Sequence, residues 1–258
     1  ERWDYDALMQ RKAEIGSLKF TREYLCVPIS TGTALFSPES ITQCKNKEYI
    51  LKLGNRKNKG YKYYVGVDPA ISTDGDYNVI TVLEVDENMN KAIVHVDRAK
   101  NVEFRENIEK IRLIGRIYQP EAILFETNTF AKSFTQELRN ISDLNVLDFN
   151  TTRKKKQEII LNLQMNFENK KMILPYGDNN SRVLTNALIE ELSMFSITES
   201  GKFEGVGAHD DLVMSLALAN AATNRPTDSF YLLDDIGLFD SPTTTTNVVP
   251  NGLVGLNF

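Results

Sequence analysis

The chain has 258 residues, 41% hydrophobic and 25% charged, with a formal net charge of −5. These values suit one large α/β domain or two small ones with a proper core. The mild acidity argues against a protein that coats itself in nucleic acid, yet it allows an enzyme whose carboxylates hold metal while local basic patches bind DNA.

No apolar run approaches the roughly 20 residues needed to cross a bilayer, and no secretory signal opens the sequence. The first residue is Glu1 rather than Met, and residues 1–19 read as the tail of something longer. Cys26 and Cys44 lack metal-ligand spacing and read as reduced, buried thiols. With only His95 and His209, a His-rich metal site is not available.

Residues 1–60 carry no clean period. Phe20 to Leu25 reads as a short amphipathic piece, Pro28 to Pro38 as a loop, and Gly54 to Gly60 as a basic, Asn-rich turn region. At Tyr61 the pattern changes. Tyr63, Val65 and Val67 alternate and stop at Asp68-Pro69, which predicts a strand ending in an acid. A Ser-, Asp- and Gly-rich loop over 72–76 precedes a second strand, Val79 to Val85. Residues 87–90 form a hairpin turn into a third strand, Ala92 to Val96, so these strands are antiparallel neighbours. His95 in the third strand reads as structural.

Helical spacing of Phe104, Ile108, Ile111 and Gly115 predicts a helix over 102–118, ended by Pro120. Ala122 to Phe125 is a continuous apolar run, typical of a buried parallel strand, and it ends at Glu126. A helix marked by Phe130, Phe134, Leu138 and Ile141 follows, then a short strand, Val146 to Phe149. The spacing next predicts a helix over 154–167, a short strand from Met172 to Leu174, a helix carrying Leu184, Leu188 and Leu192, a polar turn at 199–202, and a last helix starting near His209. Beyond Pro226 the pattern is lost, and 226–258 reads as a flexible tail.

This order has a chemical consequence. A right-handed crossover after three antiparallel strands returns the fourth strand beside the first. Asp68 and Glu126 then both end adjacent parallel strands, where open α/β sheets place their active sites. The last helix brings His209, Asp210 and Asp211 to the same edge. Gathered carboxylates repel and raise one another's pKa, and a divalent cation removes the conflict. Oxygen-only ligands favour Mg²⁺ or Mn²⁺ over zinc, and two such ions suit phosphodiester hydrolysis. Each residue also has a plainer reading: Asp68 as a turn former before Pro69, Glu126 as a cap for the next helix, and the His-Asp-Asp run as capping plus a favourable helix dipole. Asp74 and Asp76 would shape a turn around Gly75. Two basic groups stand out, Lys52, Arg56, Lys57, Lys59 and Lys62, and Arg153 with Lys154, Lys155 and Lys156; either also reads as a solvated surface.

Several segments together resemble the nuclease domain of the large terminase subunit, the DNA-packaging motor of tailed bacteriophages. They are FTREYLC and LF in the lead-in, YVGVDPAISTDGDYNVITVLEV, AILFETN, TTRKKKQEIILNLQMNFENKKMIL and GKFEGVGAHDDLVMSLALA, spanning about residues 20–222. Any one alone is weak; their order is specific. The resemblance implies a ribonuclease H-like α/β fold: a mixed sheet of three antiparallel strands, then parallel strands, flanked by helices. It implies that Asp68, Glu126 and Asp211 hold two Mg²⁺ or Mn²⁺ ions, with Asp210, Asp76 and His209 auxiliary and the choice between Asp210 and Asp211 open. It implies cleavage of concatemeric double-stranded DNA during genome packaging in the host cell cytoplasm, with portal protein and small terminase subunit as partners. Residues 1–45 would be a lead-in from an ATPase domain, 46–225 the nuclease domain and 226–258 the tail. No Gly-rich Walker-type loop occurs in the sequence, so the ATPase site is expected elsewhere. Arg153 and Lys154 to Lys156 gain a role near the DNA backbone, at a helix N-terminus that also offers N–H groups to phosphates.

Other readings make different demands. A junction resolvase or transposase-type nuclease of the same fold would prefer branched DNA to linear duplex. An actin-like nucleotide-binding protein needs further Gly-rich phosphate loops after GVDPA, and none occurs. A non-catalytic scaffold docking on a portal leaves the acids unexplained, because clustered carboxylates cost stability without a metal.

Overall fold

The computed structural model describes residues 4–26, 34–54, 60–69, 77–127, 131–141, 143–198, 200–205 and 209–224. The expected tail 226–258, the turn with Asp74 and Asp76, Phe130, and the basic residues Arg56, Lys57 and Lys59 lie outside them. Among the described residues no helix is long and apolar enough to cross a membrane.

The elements follow the expected order from β2 (Lys62–Asp68) onward: β3 (Asn78–Val85), β4 (Lys91–Ala99), α4 (Phe104–Tyr118), β5 (Ala122–Glu126), α5 (Ala131–Ile141), β6 (Val146–Phe149), α6 (Arg153–Glu168), β7 (Met172–Pro175), α7 (Asn179–Met194) and α8 (Asp211–Ala222). Before them lie α1 (Tyr5–Ile15), α2 (Ser17–Tyr24), α3 (Pro38–Gln43) and β1 (Lys45–Asn46). β8 (Phe195–Ile197) and β9 (Phe203–Gly205) form a separate hairpin.

The main sheet has seven strands in the order β1-β7-β4-β3-β2-β5-β6. β3 runs antiparallel to both its neighbours, β2 and β4; every other pairing is parallel. The fourth long strand thus returns beside the first, with Val65 opposite Ile123 and Val67 opposite Phe125.

Strand parity decides which side each residue faces. Tyr63, Val65, Val67, Ile123 and Phe125 join a cluster with Ile108, Ile111, Ile114 and Tyr118 of α4 and Phe134 and Leu138 of α5. Tyr64, Leu124, Val79 and Leu83 face the other cluster, with Ile160, Leu163 and Phe167 of α6, Leu188 and Leu192 of α7, and most of α8. Helices therefore cover both faces. Leu35, Phe36, Ile41 and Cys44 of the lead-in belong to the second cluster.

α8 is the central helix. It is apolar on all sides, and all its residues from Leu212 to Asn220 are buried, as expected of a helix with no solvent face. It lies directly on β2 because residue 66 is glycine: a Cβ there would stand 2.1 Å from the Ser215 carbonyl oxygen and 2.4 Å from the Ala219 nitrogen. Ser215 Oγ sits 3.0 Å from the Gly66 carbonyl oxygen and 2.9 Å from Thr81 Oγ1, tying helix to sheet. α6 runs beside α8 in the same direction. The buried Lys91 Nζ donates to Asn166 and Asn220 at 3.1 and 2.8 Å, and Asn220 donates to Asn162 at 2.8 Å, joining their C-terminal halves.

One expectation needs correction. Cys44 is buried, and that burial pushes its thiol up to about 11, but Cys26 is exposed. It follows directly on the end of α2 with a left-handed φ of 53°, turned away from the core. Among the described residues the lead-in, which has no clean period, holds α1, α2, α3 and the edge strand β1, with α2 over most of the expected amphipathic piece.

Candidate active site

Asp68 and Glu126 share the parity of Gly66 and Leu124, so both emerge at the sheet edge on the side covered by α8. The first turn of α8 supplies Asp211, and Asp210 stands immediately before it. The carboxyls of Asp68 and Glu126 lie close enough to act on each other. Burial, and then the charges of Glu126, Asp211 and Asp210, hold the Asp68 carboxyl well above the usual carboxylate range. This is the charge conflict expected when acids converge in a low-dielectric site.

The remaining contacts orient the aspartates. Asp211 Oδ2 accepts the Tyr77 backbone N–H at 3.1 Å, and His209 Nδ1 lies 3.7 Å from the same oxygen. Asp210 Oδ2 accepts from Lys156 Nζ at 2.8 Å. The Tyr77 ring meets His209 edge-on at 5.5 Å and lies under two cations, with Arg98 Cζ 3.9 Å and Lys100 Nζ 4.5 Å from its centroid. Arg98 in turn pairs with Glu191 at 3.0 Å. Glu191 is 5% exposed, and burial lifts its carboxyl to about 7 against the opposing pull of Arg98 and two backbone N–H groups.

Of the basic cluster, Lys156 points to the acids, whereas Arg153 donates to the Ser200 carbonyl in the β8–β9 turn. Lys154 is exposed and Lys155 half-buried on the first turn of α6. That helix is capped by Thr152, which accepts the Lys155 N–H at 3.2 Å. His95 sits in β4, where burial lowers its pKa, consistent with a structural residue.

Among the described residues no three of His, Cys, Asp and Glu are arranged to enclose an ion. One of the acids already has an opposing charge, the Lys156 ammonium on Asp210. The donor chemistry still fits a hard divalent cation. A buried carboxyl beside three others, all oxygen donors, is the composition that Mg²⁺ and Mn²⁺ favour.

The sequence model of the terminase RNaseH-like domain family matches residues 65–222. The chain belongs to this family. Among solved structures, the large terminase nuclease from thermophilic phage G20c is similar at TM-score 0.56 and 22% identity, covering 73% of this chain and 97% of that one. A form of the same nuclease with bound magnesium gives TM-score 0.56 and 21% identity, covering 75% and 98%. The Thermus phage P74-26 large terminase nuclease domain gives TM-score 0.53 and 22% identity, covering 72% and 94%. The search of curated proteins found no match. The fold of this terminase RNaseH-like domain is therefore the mixed sheet expected from its strand order.

Two residues of the site have no counterpart in the sequence reading, Arg98 and Glu191, and Tyr77 enters that reading only as part of the segment after Asp68, with no role of its own. Glu191 had a visible signal. It follows Leu188 by three positions on the apolar face of α7, where a carboxylate calls for a partner.

Proposed function

We propose that this terminase RNaseH-like domain is a metal-dependent endonuclease that cuts concatemeric double-stranded viral DNA during genome packaging. The observation that carries the reading is the convergence of Asp68, Glu126, Asp210 and Asp211 at one sheet edge, where burial and then the neighbouring charges raise the pKa of Asp68. Asp68, Glu126 and Asp211 would hold two Mg²⁺ or Mn²⁺ ions, in keeping with the magnesium bound in the G20c nuclease structure. Such ions lower the pKa of an attacking water and stabilise the leaving 3′ oxygen.

The chain's own groups prepare that site. Asp68, fixed at the end of a fully paired strand, is the central acid, and Glu126 faces it from the neighbouring strand. Asp211 is favoured over Asp210 as the third ligand because Lys156 already holds Asp210. The Tyr77 N–H leaves Asp211 one oxygen engaged and oriented, and His209, with Asp76, is auxiliary. Of Arg153, Lys154, Lys155 and Lys156 at the start of α6, Lys154 and Lys155 would meet the DNA backbone without reading sequence, because Lys156 is held by Asp210 and Arg153 by the Ser200 carbonyl. The intact motor would supply an ATPase domain, a portal and a small terminase subunit, working in the host cytoplasm.

Plasmid cleavage by the purified chain tests the reading. Cleavage is expected to need Mg²⁺ or Mn²⁺, to stop with EDTA, and to disappear in Asp68→Asn, Glu126→Gln and Asp211→Asn proteins that remain folded. Wild-type cleavage by Asp68→Asn would overturn the site, and a strong preference for branched junctions would favour a resolvase.

A further inference from the structure

A buried helix end needs protein acceptors for its first N–H groups, since water cannot reach them. α6 and α7 carry their own: Thr152 and Asp178 accept from Lys155 and Ser181. α8 does not. Asp210 occupies its cap position without a capping hydrogen bond, because its side chain is held by Lys156.

The acceptor for α8 comes from α7. Glu191 Oε2 takes the N–H groups of Leu212 and Val213 at 2.8 and 3.3 Å, the two residues that follow Asp211. Glu191 Oε1 accepts from Arg98 Nη2 at 3.0 Å. The guanidinium of Arg98 stacks on Tyr77, and the Tyr77 N–H donates to Asp211. The contacts close a ring, from Asp211 through Tyr77, Arg98 and Glu191 back to the first turn of α8.

We propose that Glu191, anchored by Arg98, is a positioning residue that caps α8 from outside the helix and so sets Asp210 and Asp211 against Asp68. A buried ion pair is a poor source of stability, because desolvation offsets its attraction. Its place at the one turn that carries an acid of the site gives it a different use. It holds the helix end, and with it the Asp211 carboxylate, in a single orientation. The inference rests on the nuclease reading of the acids.

Calorimetric Mn²⁺ titration of the full 258-residue chain, beside plasmid cleavage over a range of Mn²⁺ concentrations, tests it. Glu191→Ala removes the cap and is expected to weaken Mn²⁺ binding about 10- to 100-fold, the usual effect of losing a group that orients a metal ligand. The Mn²⁺ concentration for half-maximal cleavage rises by the same factor. Arg98→Met leaves the carboxylate but frees it, and loses about 10-fold. Glu191→Gln keeps the shape and one acceptor oxygen, and recovers most of the affinity. A merely stabilising pair would lower the melting temperature of all three without moving the Mn²⁺ curve, and wild-type Mn²⁺ affinity in folded Glu191→Ala or Arg98→Met protein overturns the proposal. Asp68→Asn separates the two readings. If it binds Mn²⁺ and cuts as wild type does, the nuclease site itself is misassigned. If it loses both while Glu191→Ala keeps both, only the positioning role fails.

Discussion

Replacing Gly66 by alanine perturbs the contact on which the proposed site depends. The added Cβ would lie 2.1 Å from the Ser215 carbonyl oxygen and 2.4 Å from the Ala219 nitrogen, both backbone atoms of α8. A carbon is comfortable at about 3.5 Å from another heavy atom, so the helix must retreat by about 1 Å or the strand must bend. Overpacking of this kind costs about 1–3 kcal/mol. A backbone obstacle inside a helix buried on every side belongs at the upper end. For a domain of this size that corresponds to a fall of roughly 6–12 °C in Tm. The same retreat moves Asp211 relative to Asp68, and a 1 Å misplacement of catalytic groups costs about 100-fold in rate. Gly115→Ala is the control. The three atoms nearest its Cβ all belong to the side chain of Leu144, the first 2.5 Å away, and α4 packs on the face of the sheet opposite α8, so it lowers stability by about 1 kcal/mol and leaves cleavage intact. Thermal unfolding by circular dichroism and plasmid cleavage with Mn²⁺ read both quantities. A Gly66→Ala protein with wild-type Tm and wild-type cleavage would refute the reasoning, as would equal loss of cleavage in the two variants.

Stability should fall as pH rises, because Asp68 and Glu191 both have folded-state pKa values above their unfolded ones. The native state then keeps protons that the unfolded chain releases, so the contribution is fully present at low pH and lost on the way up, for Glu191 between 4.5 and about 7. That shift corresponds to about 3 kcal/mol. Urea unfolding at pH 5 and pH 8 should show the slope, flattened in Glu191→Gln; an identical slope in the variant would contradict it. Mn²⁺ should raise the Tm of the wild type by mass action and leave Asp68→Asn unmoved, and equal stabilisation of both would place the ion elsewhere. Lys154→Ala with Lys155→Ala should weaken DNA binding more at low salt than at high and make the salt slope shallower by roughly 1–2, since each phosphate contact contributes about 0.9. An unchanged slope removes that patch from the DNA path.

The parts of the fold legible in the sequence were those that repeat a period over several residues. Tyr63, Val65 and Val67 alternate, Ala122 to Phe125 are uniformly apolar, and each run ends on an acid, so strand, parity and sheet edge follow together. The elements missed are those whose shape is set from outside. β1 is two residues long and exists by pairing with β7. β8 begins at Phe195, immediately after α7, with no turn residue to announce it. α1 buries none of its residues, so it carries little amphipathic signal. The same distinction holds at the site. Asp68 and Glu126 mark themselves by ending strands. The contact of Tyr77 with Arg98 becomes visible only once β3 and β4 are side by side, with Val79 opposite Arg98. The adjacent pair Asp210 and Asp211 differ only in their partners, Lys156 for one and Tyr77 for the other, and no local pattern encodes that difference.

Anomalous diffraction from crystals soaked in Mn²⁺ tests the central claim most directly. The expected result is two peaks bounded by Asp68, Glu126 and Asp211. Peaks that avoid Asp68, or a soaked crystal with no ion among the three acids, would contradict it.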